Sequence, residues 1–482
     1  MFLFSCTPSQ FHKQLSQLPA QKREEYKILR YSIQTVGDKQ EIEQFNRIPS
    51  IDTLALRQFE NSFWKRRDPN PITPINEKKE EFDRRLRFVI ENFSSRQFLR
   101  PWDERGDVYL KLGAPSERQT RLTTKYQKIE NKADITPKEE VAVEEWTYID
   151  ISNFGKPLLF VFEPDVVRGY LSVPARSPLG EIEPYKRQTE LQEQMISWVS
   201  KVEQEPMQYF FDYGKEELKY AFGLTPFLIR ETPNIYDIYL TINVPARKLV
   251  TPSLDSIRYV WKVLVQDENY ERLFQDSTET VSFLGSGQEL DKLITLDQKE
   301  LRLKAGTYII TSELVNSTGD KGGMLQTRLV LPSYTFPKVI ELSKAILAKE
   351  IRQADFTDTK FVRNGLVIKP WVSSVFTLGE PIWLYFEIYN LPLDREGKSN
   401  FTVKYYLQDL LTDTKYLVSE KIYREAQRDF AMVKSFTDSL FRAAKVPVKS
   451  GQDYVLLAEV EDRILGRNIR SLSAMFKFRK EN

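Results

Sequence analysis

The first third of the chain carries arginines and carboxylates of the types that could perform acid–base chemistry. They are Arg66, Arg67, Asp68, Glu77, Asp103, Glu104, Arg105 and Glu145. If these side chains line one cleft, two of the carboxylates could serve as the acid and the base of a glycosidase. That reading requires two of the carboxylates to lie about 5–10 Å apart across an open pocket.

A structural role explains the same residues, and we favour it. Asp68 begins a turn at Pro69, and Glu77 falls in the first turn of a helix, near the positive end of the helix dipole. Arg105 can pair with one of the acids and fix a helix against a sheet through a bidentate guanidinium–carboxylate contact. Structural ion-pair networks perturb pKa values as active sites do, so clustered charges alone do not indicate catalysis.

The small number of histidine and cysteine residues limits nucleophilic catalysis and metal binding. The chain has one histidine, His12, and one cysteine, Cys6, both near its start. A Ser-His-Asp or Cys-His site inside the folded body is excluded because the base is missing. Zinc sites built from cysteine and histidine are excluded by the same count. We therefore predict no metal and no other cofactor, and only carboxylate, lysine, tyrosine or Ser-Lys chemistry remains for an enzyme.

The residues around Cys6 predict a cellular address. Leu3 stands three positions before Cys6 and the small Ser5 directly before it, as in a bacterial lipobox. Lipidation of Cys6 would anchor the protein to a membrane, because each buried CH₂ group contributes about 0.8 kcal/mol. The apolar run is shorter than the apolar segment of a signal peptide, which has roughly 7–15 residues, and it lacks a positively charged flank. A start codon that lies further upstream than Met1 would explain both. The alternative is a short apolar N-terminus with a chance cysteine.

Composition describes an ordinary globular protein. A chain of 482 residues suggests about three domains of roughly 150 residues each. The net charge of +2 arises from 70 basic and 68 acidic side chains, and so even a balance gives no nucleic-acid footprint. No apolar run reaches the roughly 18 residues of a transmembrane helix.

Helical periodicity dominates before residue 94. We expect Ser50 to cap a second helix, which stops near the prolines that follow Asp68, and Thr73 to cap a third. After Gly106 the apolar residues alternate, which predicts a strand that ends at a turn from Gly113 to Pro115. A charged loop is expected next, followed by strands at 144–149 and 158–162. Together these segments predict an α+β domain with helices packed on a small antiparallel sheet.

The order of motifs in this region resembles the GWxTD-domain proteins, a bacterial family that is often exported and whose molecular role is unsettled. The residues that carry the resemblance are Phe63, Trp64, Arg66, Arg67, Asp68, Pro69, Glu77, Trp102, Arg105, Gly106, Gly113, Pro115 and Trp146. The match is best over 26–173 and looser beyond. The segment Pro101 to Gly106 is one residue shorter than the family's Gly-Trp-x-Thr-Asp-Arg-Gly and lacks its Gly and Thr. No role of that Thr-Asp pair is therefore carried over.

The second half of the chain reads as all-β. Short alternating strands recur from Ile235 onward, and 301–309 returns weakly as 446–455, each copy a strand, a turn with glycine and a second strand. This predicts two immunoglobulin-like sandwiches. The segment 339–351 fits either a helix or a linker. The predicted divisions are a tether at 1–20, the α+β domain at 21–173, a linker with a helical segment at 174–232, and sandwiches at 233–335 and 352–482.

Two groups of aromatic residues have alternative interpretations. Phe63, Trp64 and Trp102 could form a recognition cleft for sugar or peptide, but the helical stripe that contains Phe63 favours a core position. Trp383 and Tyr385 lie on the face of the strand 381–391 opposite its aliphatic side. They are candidates for a surface contact with a partner, or for burial against the preceding domain.

These observations favour a non-catalytic lipoprotein of the cell envelope, anchored to the outer membrane, with a binding, scaffolding or assembly role. Its expected partners are other envelope proteins and, through Cys6, the membrane, with no nucleic acid. One alternative is a carboxylate-dependent hydrolase acting on envelope glycan. A second is a soluble interaction protein, which requires Cys6 to be accidental.

Overall fold

The computed structural model describes the chain in segments. They are residues 14–94, 100–128, 135–149, 158–163, 166–171, 213–229, 232, 234–250, 256–284, 293–333, 340–372, 375–472 and 475–479. The predicted lipidation site Cys6, the start of the predicted linker at 174–180 and most of the helical or mixed segment expected at 188–220 lie outside these residues. The described end of that segment, 213–220, contains a short strand and no helix. The chain divides into two compact units, Met1–Tyr213 and Gly214–Asn482.

The N-terminal unit begins with helices whose ends are set by local side chains. They are α1 (Ala20–Val36), α2 (Lys39–Asn46), α3 (Thr53–Lys65), α4 (Glu77–Phe93) and α5 (Glu104–Leu112). Asp38 begins α2 in a capping box with Glu41, in which each side chain binds the other residue's backbone N–H. Gly113 follows α5 with a φ of +81°, a conformation that favours glycine after a helix.

An antiparallel sheet completes this unit. Its strands β1 (Glu117–Lys128), β2 (Ile135–Tyr148), β3 (Leu158–Glu163) and β4 (Val166–Leu171) pair in that order. Trp146 and Phe162 of the sheet belong to the same apolar core as the helices, and the rings of Trp146 and Phe93 lie 5.5 Å apart. The predicted α+β arrangement, with helices packed on a small sheet, is confirmed.

The segment after Arg105 was expected to be a strand and is a helix. The side chain of Asp103 accepts a hydrogen bond from the backbone of Arg105 at the start of α5, and acids occupy the first turn, where the helix dipole favours them. Val108, Leu110 and Leu112 are all buried, so their alternation does not distinguish a strand from a short, mostly buried helix.

Three further local predictions are wrong. The charged segment expected as a loop forms β1 and most of β2, stabilised by cross-strand contacts such as the one between Arg121 and Glu145. The cap of α3 is Asp52, while the Ser50 hydroxyl binds the Gln14 carbonyl. The cap of α4 is Asn76, because the helix starts at Glu77, four residues after Thr73.

The C-terminal unit is built mainly of strands, with a short 3₁₀ turn at Ala246–Lys248 and the helix α6 (Asp438–Ala443). The strands of its first part are β5 (Glu216–Glu217), β6 (Ala221–Leu228), β7 (Ile235–Pro245), β8 (Ser256–Asp267), β9 (Arg272–Phe283), β10 (Ile294–Lys304), β11 (Gly306–Asn316) and β12 (Lys321–Leu331). Those of its second part are β13 (Glu341–Leu342), β14 (Ile346–Gln353), β15 (Val362–Arg363), β16 (Leu366–Pro370), β17 (Val375–Thr377), β18 (Ile382–Tyr389), β19 (Ser399–Asp409), β20 (Thr414–Glu425), β21 (Phe430–Phe436), β22 (Asp453–Asp462), β23 (Arg467–Leu472) and β24 (Phe476–Arg479).

The described strands of each part form two sheets. In the first part the sheets have the strand orders β10-β7-β6 and β5-β12-β11-β8-β9, and their inner faces share a core that includes Ile238 and Trp261, both fully buried. In the second part the orders are β13-β18-β14-β16-β15, with β21 beside β18, and β17-β24-β22-β19-β20, with β23 beside β22. The core between these two sheets includes Leu384 and Val403, both fully buried. The prediction of β-sandwiches is confirmed at this level.

Several predicted boundaries shift. The clean strand expected at 381–391 is β18. The ambiguous segment 339–351 contributes β13 and most of β14, so it is neither helix nor linker where described. Within the predicted linker 174–232, β6 pairs with β7 and belongs to the first sandwich. The weak repeat fails in its second copy, because 446–449 is not a strand.

Candidate functional site

Phe63 and Trp64 end α3 inside the core. Phe63 is fully buried, and its ring meets that of Trp64 edge to face at 5.1 Å. The ring of Trp64 also lies 4.8 Å from that of Phe82 on α4. Trp102 is fully buried as well. The structure places these aromatics in the core, the alternative favoured for them.

Arg66 and Arg67, just after α3, both bind Glu41 on α2. A nitrogen of Arg66 lies 3.0 Å from the Glu41 carboxylate, Arg67 binds both carboxylate oxygens, and the guanidinium of Arg67 lies 3.6 Å from the centre of the Phe63 ring. Burial alone would raise the pKa of Glu41, but the hydrogen bonds from Arg67 and from the backbone of Asp38 outweigh it and lower that pKa. The sequence interpretation missed Glu41, although its spacing from Asp38 is that of a capping box.

Asp68, Pro69 and Glu77 shape the connection to α4. A carboxylate oxygen of Asp68 accepts a hydrogen bond from the backbone N–H of Asn70 at 3.1 Å, which forms the expected turn around the half-buried Pro69. Glu77 lies in the first turn of α4, where its carboxylate accepts a hydrogen bond from the Thr73 hydroxyl at 3.0 Å.

Trp102 is held by Asp107, one turn further along. The indole N–H donates to Asp107 Oδ1 at 2.9 Å, the Thr35 hydroxyl donates to the same oxygen at 3.2 Å, and Arg100 pairs with the other oxygen. A Cβ on Gly106 would lie 2.4 Å from the indole, so a side chain there requires Trp102 to move. This contact accounts for the glycine of the motif.

Arg105 links α5 to the sheet, as predicted, although its partner on the sheet was not foreseen. One nitrogen lies 2.6 Å from Asp103 and another 3.0 Å from Glu144 on β2, and the guanidinium lies 4.8 Å from the centre of the Phe93 ring. The hydrogen bond to Asp103 raises the pKa of Arg105. Burial opposes ionisation of Glu144, but hydrogen bonds from Trp146 and Arg105 outweigh it, so the pKa of Glu144 is lowered.

Arg85, which the sequence interpretation did not single out, organises the end of α5. Its guanidinium donates to the carbonyls of Leu110 and Lys111, both at 3.1 Å. These carbonyls are among the last of the helix, which have no N–H partner within it. A Cβ on Gly113 would lie 3.0 Å from this guanidinium. The Tyr148 hydroxyl binds the Gly113 carbonyl at 2.9 Å, just before the half-buried Pro115 leads into β1.

The contacts therefore divide the predicted acid–base residues among separate places: most form ion pairs, while Asp68 and Glu77 make the hydrogen bonds described above. Glu145, adjacent to the fully buried Trp146, pairs with Arg121 at 2.6 Å, while Glu104 lies 3.9 Å from Arg100. Asp103 and Glu144 both bind the guanidinium of Arg105, which bridges the two carboxylates. Among the described residues, no group of three or more histidine, cysteine or carboxylate side chains is arranged to hold a metal ion.

The N-terminal unit contains a groove between α1, α3 and α4, with a volume of about 380 Å³. Its lining residues are mostly apolar, and they comprise Leu18, Lys22, Glu25, Tyr26, Ile28, Leu29, Ser32, Ile33, Ser50, Thr53, Leu56, Arg57, Glu60, Trp64, Phe82, Asp83 and Leu86. The Ser32 hydroxyl is buried and has no hydrogen-bond partner among the described residues. An apolar concavity of this size with a few polar groups is typical of a binding site. We call it the helical groove.

The C-terminal unit contains a second cluster, which we call the sandwich joint. Glu387 on β18 is fully buried, and its carboxylate accepts hydrogen bonds from Tyr385 at 2.6 Å, Tyr389 at 2.7 Å and Asn364 at 2.8 Å. Arg363 binds both carboxylate oxygens of Glu387. Burial would raise the pKa of Glu387, but the hydrogen bonds and the charge of Arg363 outweigh it and lower that pKa.

Arg363 also reaches the first sandwich. Its guanidinium lies 4.0 Å from the centre of the Phe227 ring and 3.5 Å from Asp237. A short distance away, Lys360 reaches Asp297 at 2.5 Å, so the joint has a second ion pair that crosses between the sandwiches. The joint therefore holds the two sandwiches against each other within this unit.

Trp383 and Tyr385 are placed differently from each other. Tyr385 is fully buried, and its ring lies 5.9 Å from that of Phe227 in the first sandwich. The surface interpretation is wrong for Tyr385, because its side chain packs against the preceding domain. Trp383 is half-buried beside the same cluster.

Comparisons with known proteins do not connect this chain to a family. Neither a scan against protein-family models nor a search of the curated proteins found a match to the chain. The resemblance to GWxTD-domain proteins thus stays a prediction from the residues. Within the described part of the chain, no helix combines the length and the apolar character needed to cross a membrane.

Proposed function

We propose that the protein is a non-catalytic lipoprotein of the cell envelope, related to the GWxTD-domain proteins, with a binding, scaffolding or assembly role. The observation that carries the proposal is the state of the carboxylates in the motif region. Glu41, Asp103 and Glu144 are each held by arginine. A glycosidase acid needs a raised pKa, whereas the pKa values of Glu41 and Glu144 are lowered.

The C-terminal unit supports a scaffold role. Two sandwiches joined through buried charges give a fixed spacing and broad strand surfaces, which suit a component of an assembly. We further infer that both sandwiches are immunoglobulin-like, since each has two mainly antiparallel sheets over a shared core. The outer-membrane anchor at Cys6 and the envelope partners remain part of the proposal.

The test of the anchor uses the native gene with its own upstream sequence. Cells fed an alkyne analogue of palmitate should label the wild-type protein, which should sediment with membranes. The variant Cys6→Ser should be unlabelled and should leave the membrane fraction. An unlabelled wild-type protein would remove the anchor from the proposal.

The test of the non-catalytic role uses purified protein and isolated envelope glycan. We expect no release of soluble fragments. Release that disappears in Glu144→Gln would favour the hydrolase instead.

A further inference from the structure

The helical groove is bounded by two helices that run in the same direction. Before they begin, the Ser50 hydroxyl donates to the Gln14 carbonyl at 3.0 Å. After α1 ends, a Cβ on Gly37 would lie 3.4 Å from the ring of Phe63, near the end of α3. The two helices are therefore parallel, and positions along the groove can be measured from the contact between Gly37 and Phe63.

The floor of the groove contains a polar group that the protein itself leaves unsatisfied. Ser32 is 5% exposed, and its buried hydroxyl has no hydrogen-bond partner among the described residues. A buried hydroxyl without a partner destabilises the empty groove. Most of the surrounding lining is apolar and includes Leu29 and Leu56. An oxygen atom of an apolar ligand in the groove would satisfy this hydroxyl.

Two pairs of opposite charges line the groove and do not bind each other. On α1, Lys22 precedes Glu25 by three positions, and on α3, Arg57 precedes Glu60 by three positions. None of the four makes an ion pair or a hydrogen bond with any residue that the structure describes. Each wall therefore presents one base and one acid to a ligand.

The order of the charges explains why these pairs stay open. On α1, Glu24 precedes Lys27 by three positions, and their side chains meet at 2.7 Å. An acid that precedes its base forms a better helical pair than the reverse order, and in both pairs of the groove the base comes first. The remaining charged residue of the lining, Asp83, is bound by Lys79 at 2.7 Å. Asp83 is thus already neutralised.

The pair on α3 lies beside the buried hydroxyl. At a rise of about 1.5 Å per residue, Ser32 lies about 7.5 Å before the contact at the end of the helices. Arg57 and Glu60 lie about 9 Å and about 4.5 Å before it. The pair of Lys22 and Glu25 lies about 13 Å further along the groove. One end of the groove therefore combines a hydroxyl, a base and an acid, and an apolar floor continues from there.

This arrangement suits an amphiphile whose head group carries both charges. Residues three positions apart on a helix have Cβ atoms about 5–6 Å apart, a spacing that suits the phosphate and the ammonium of a phosphoethanolamine head. A purely anionic head would be repelled by Glu60, and a purely cationic head by Arg57. Along α1 the groove runs from Ser32 to Lys22, which is about 15 Å. An acyl chain spans that length, whereas the side chain of an amino acid does not.

We propose that the helical groove binds a zwitterionic phospholipid through one acyl chain. The chain lies along the apolar floor, an ester oxygen meets the Ser32 hydroxyl, the phosphate meets Arg57 and the ammonium meets Glu60. The acyl groups expected at Cys6 carry no charged head, so the ligand is a separate lipid molecule. The inference names a ligand for the binding role, and it rests on the proposed function in that an envelope protein meets such lipids in its membranes.

The first test measures the choice of head group by isothermal titration calorimetry. It uses the full chain with Cys6→Ser, which removes any covalent lipid, and ligands kept below the concentration at which they form micelles. Palmitoyl lysophosphatidylethanolamine is the zwitterion, palmitoyl lysophosphatidylglycerol the anion and hexadecylamine the cation. We expect the zwitterion to bind at least about tenfold more tightly than either of the others. Glycerophosphoethanolamine, which has the head without the chain, should not bind measurably.

Single substitutions should exchange the preferred head group. Arg57→Gln leaves Glu60 as the nearest free charge, so this variant should prefer hexadecylamine. Glu60→Gln leaves Arg57, so that variant should prefer lysophosphatidylglycerol. Both should lose at least about tenfold in affinity for the zwitterion. Lys22→Gln and Glu25→Gln are matched controls: they remove the same charges about 13 Å from the head and should change the affinity less than about twofold.

Ser32→Ala separates a ligand contact from a structural role. The substitution removes a buried hydroxyl without a partner, so the empty protein should unfold at an equal or higher urea concentration. Its affinity for lysophosphatidylethanolamine should nevertheless fall about threefold or more, because the ester oxygen loses its donor. A less stable variant with unchanged affinity would show that Ser32 has a structural role only and would contradict the proposed contact.

Three results would overturn the proposal. One is the absence of binding by the zwitterion, and another is equal affinity for all three head groups, which would indicate non-specific apolar binding. The third is a loss in the two control variants as large as in Arg57→Gln and Glu60→Gln. Circular dichroism should show native helix content in every variant, so that lost binding does not reflect unfolding. None of these results affects the anchor, which the labelling of Cys6 tests separately.

Discussion

The sandwich joint predicts a large loss of stability in Glu387→Gln. The substitution keeps the size of the side chain but removes its charge. The guanidinium of Arg363, only 12% exposed, then loses its nearer carboxylate and keeps Asp237 at 3.5 Å. It also replaces one acceptor oxygen by an NH₂ group, and where that group takes the place of Oε2 it can accept from neither Tyr389 nor Arg363. Breaking a buried ion pair by removing one partner costs about 3–5 kcal/mol. We expect the free energy of unfolding of the C-terminal unit to fall by that amount.

Urea titration of the full chain, followed by tryptophan fluorescence, measures this loss as a lower midpoint for the transition of the C-terminal unit. Glu380→Gln is the matched control, because it breaks the pair with Lys349, whose two side chains are 29% and 45% exposed. A pair so exposed contributes about 0–1 kcal/mol. Arg363→Met combined with Glu387→Met should recover part of the loss, since neither charge is then left unpaired. A Glu387→Gln variant no less stable than the control would refute the structural role of the joint.

Three further outcomes are expected in the full chain. Arg105→Lys should lower the free energy of unfolding of the N-terminal unit by about 1–3 kcal/mol in a urea titration, because an ammonium cannot bind Asp103 and Glu144 with the same planar fork. The loss stays below that of a fully buried pair because these side chains are partly exposed. An unchanged midpoint would indicate a functional role instead. Gly106→Ala should cost about 1–3 kcal/mol by overpacking against Trp102, seen as a lower melting temperature, whereas equal stability would contradict the contact. Acid should destabilise the C-terminal unit, because the pKa of Glu387 is lowered in the folded state. The stability that the ionised Glu387 provides is fully present above the unfolded carboxyl pKa of about 4.3. It is lost as the pH falls through the folded pKa. Calorimetry from pH 7 to 3 should show that Glu387→Gln removes part of this dependence.

Composition and periodicity predicted the fold class because they follow from burial. The aliphatic side of β18 alternates in sequence as it alternates in space, so its strand could be identified from the residues alone. The helix α5 could not, since its apolar residues are buried on most sides and its type depends on the cap at Asp103 and on Gly113. Strand β1 and most of β2 were missed, because residues 117–122 are exposed and the two strands make charged contacts such as that of Arg121 with Glu145 without an apolar alternation.

For the ion pairs of the candidate site, the sequence indicated the arginine of each pair but not the glutamate that it binds. Arg66, Arg67 and Arg105 stood out in the motif, but Glu41 and Glu144, which they bind, lie 25 to 39 positions away along the chain. Nothing in the local sequence fixes such pairing, because it depends on how helices and strands are packed. The burial of Tyr385 was left open for the same reason: the ring that covers it, Phe227, comes from a different sandwich.

The sandwich joint has a consequence for the order in which the chain is synthesised. Phe227 and Asp237 are translated early, but the residues that cover and neutralise them, Arg363 and Tyr385, follow more than a hundred positions later. Until then the first sandwich presents an apolar aromatic face to its surroundings, and Asp237 has only Arg302 of its own sandwich as an ion-pair partner among the described residues. A fragment ending at residue 335 would keep that face permanently open. Such a fragment should aggregate or recruit chaperones, even though its own strands are complete.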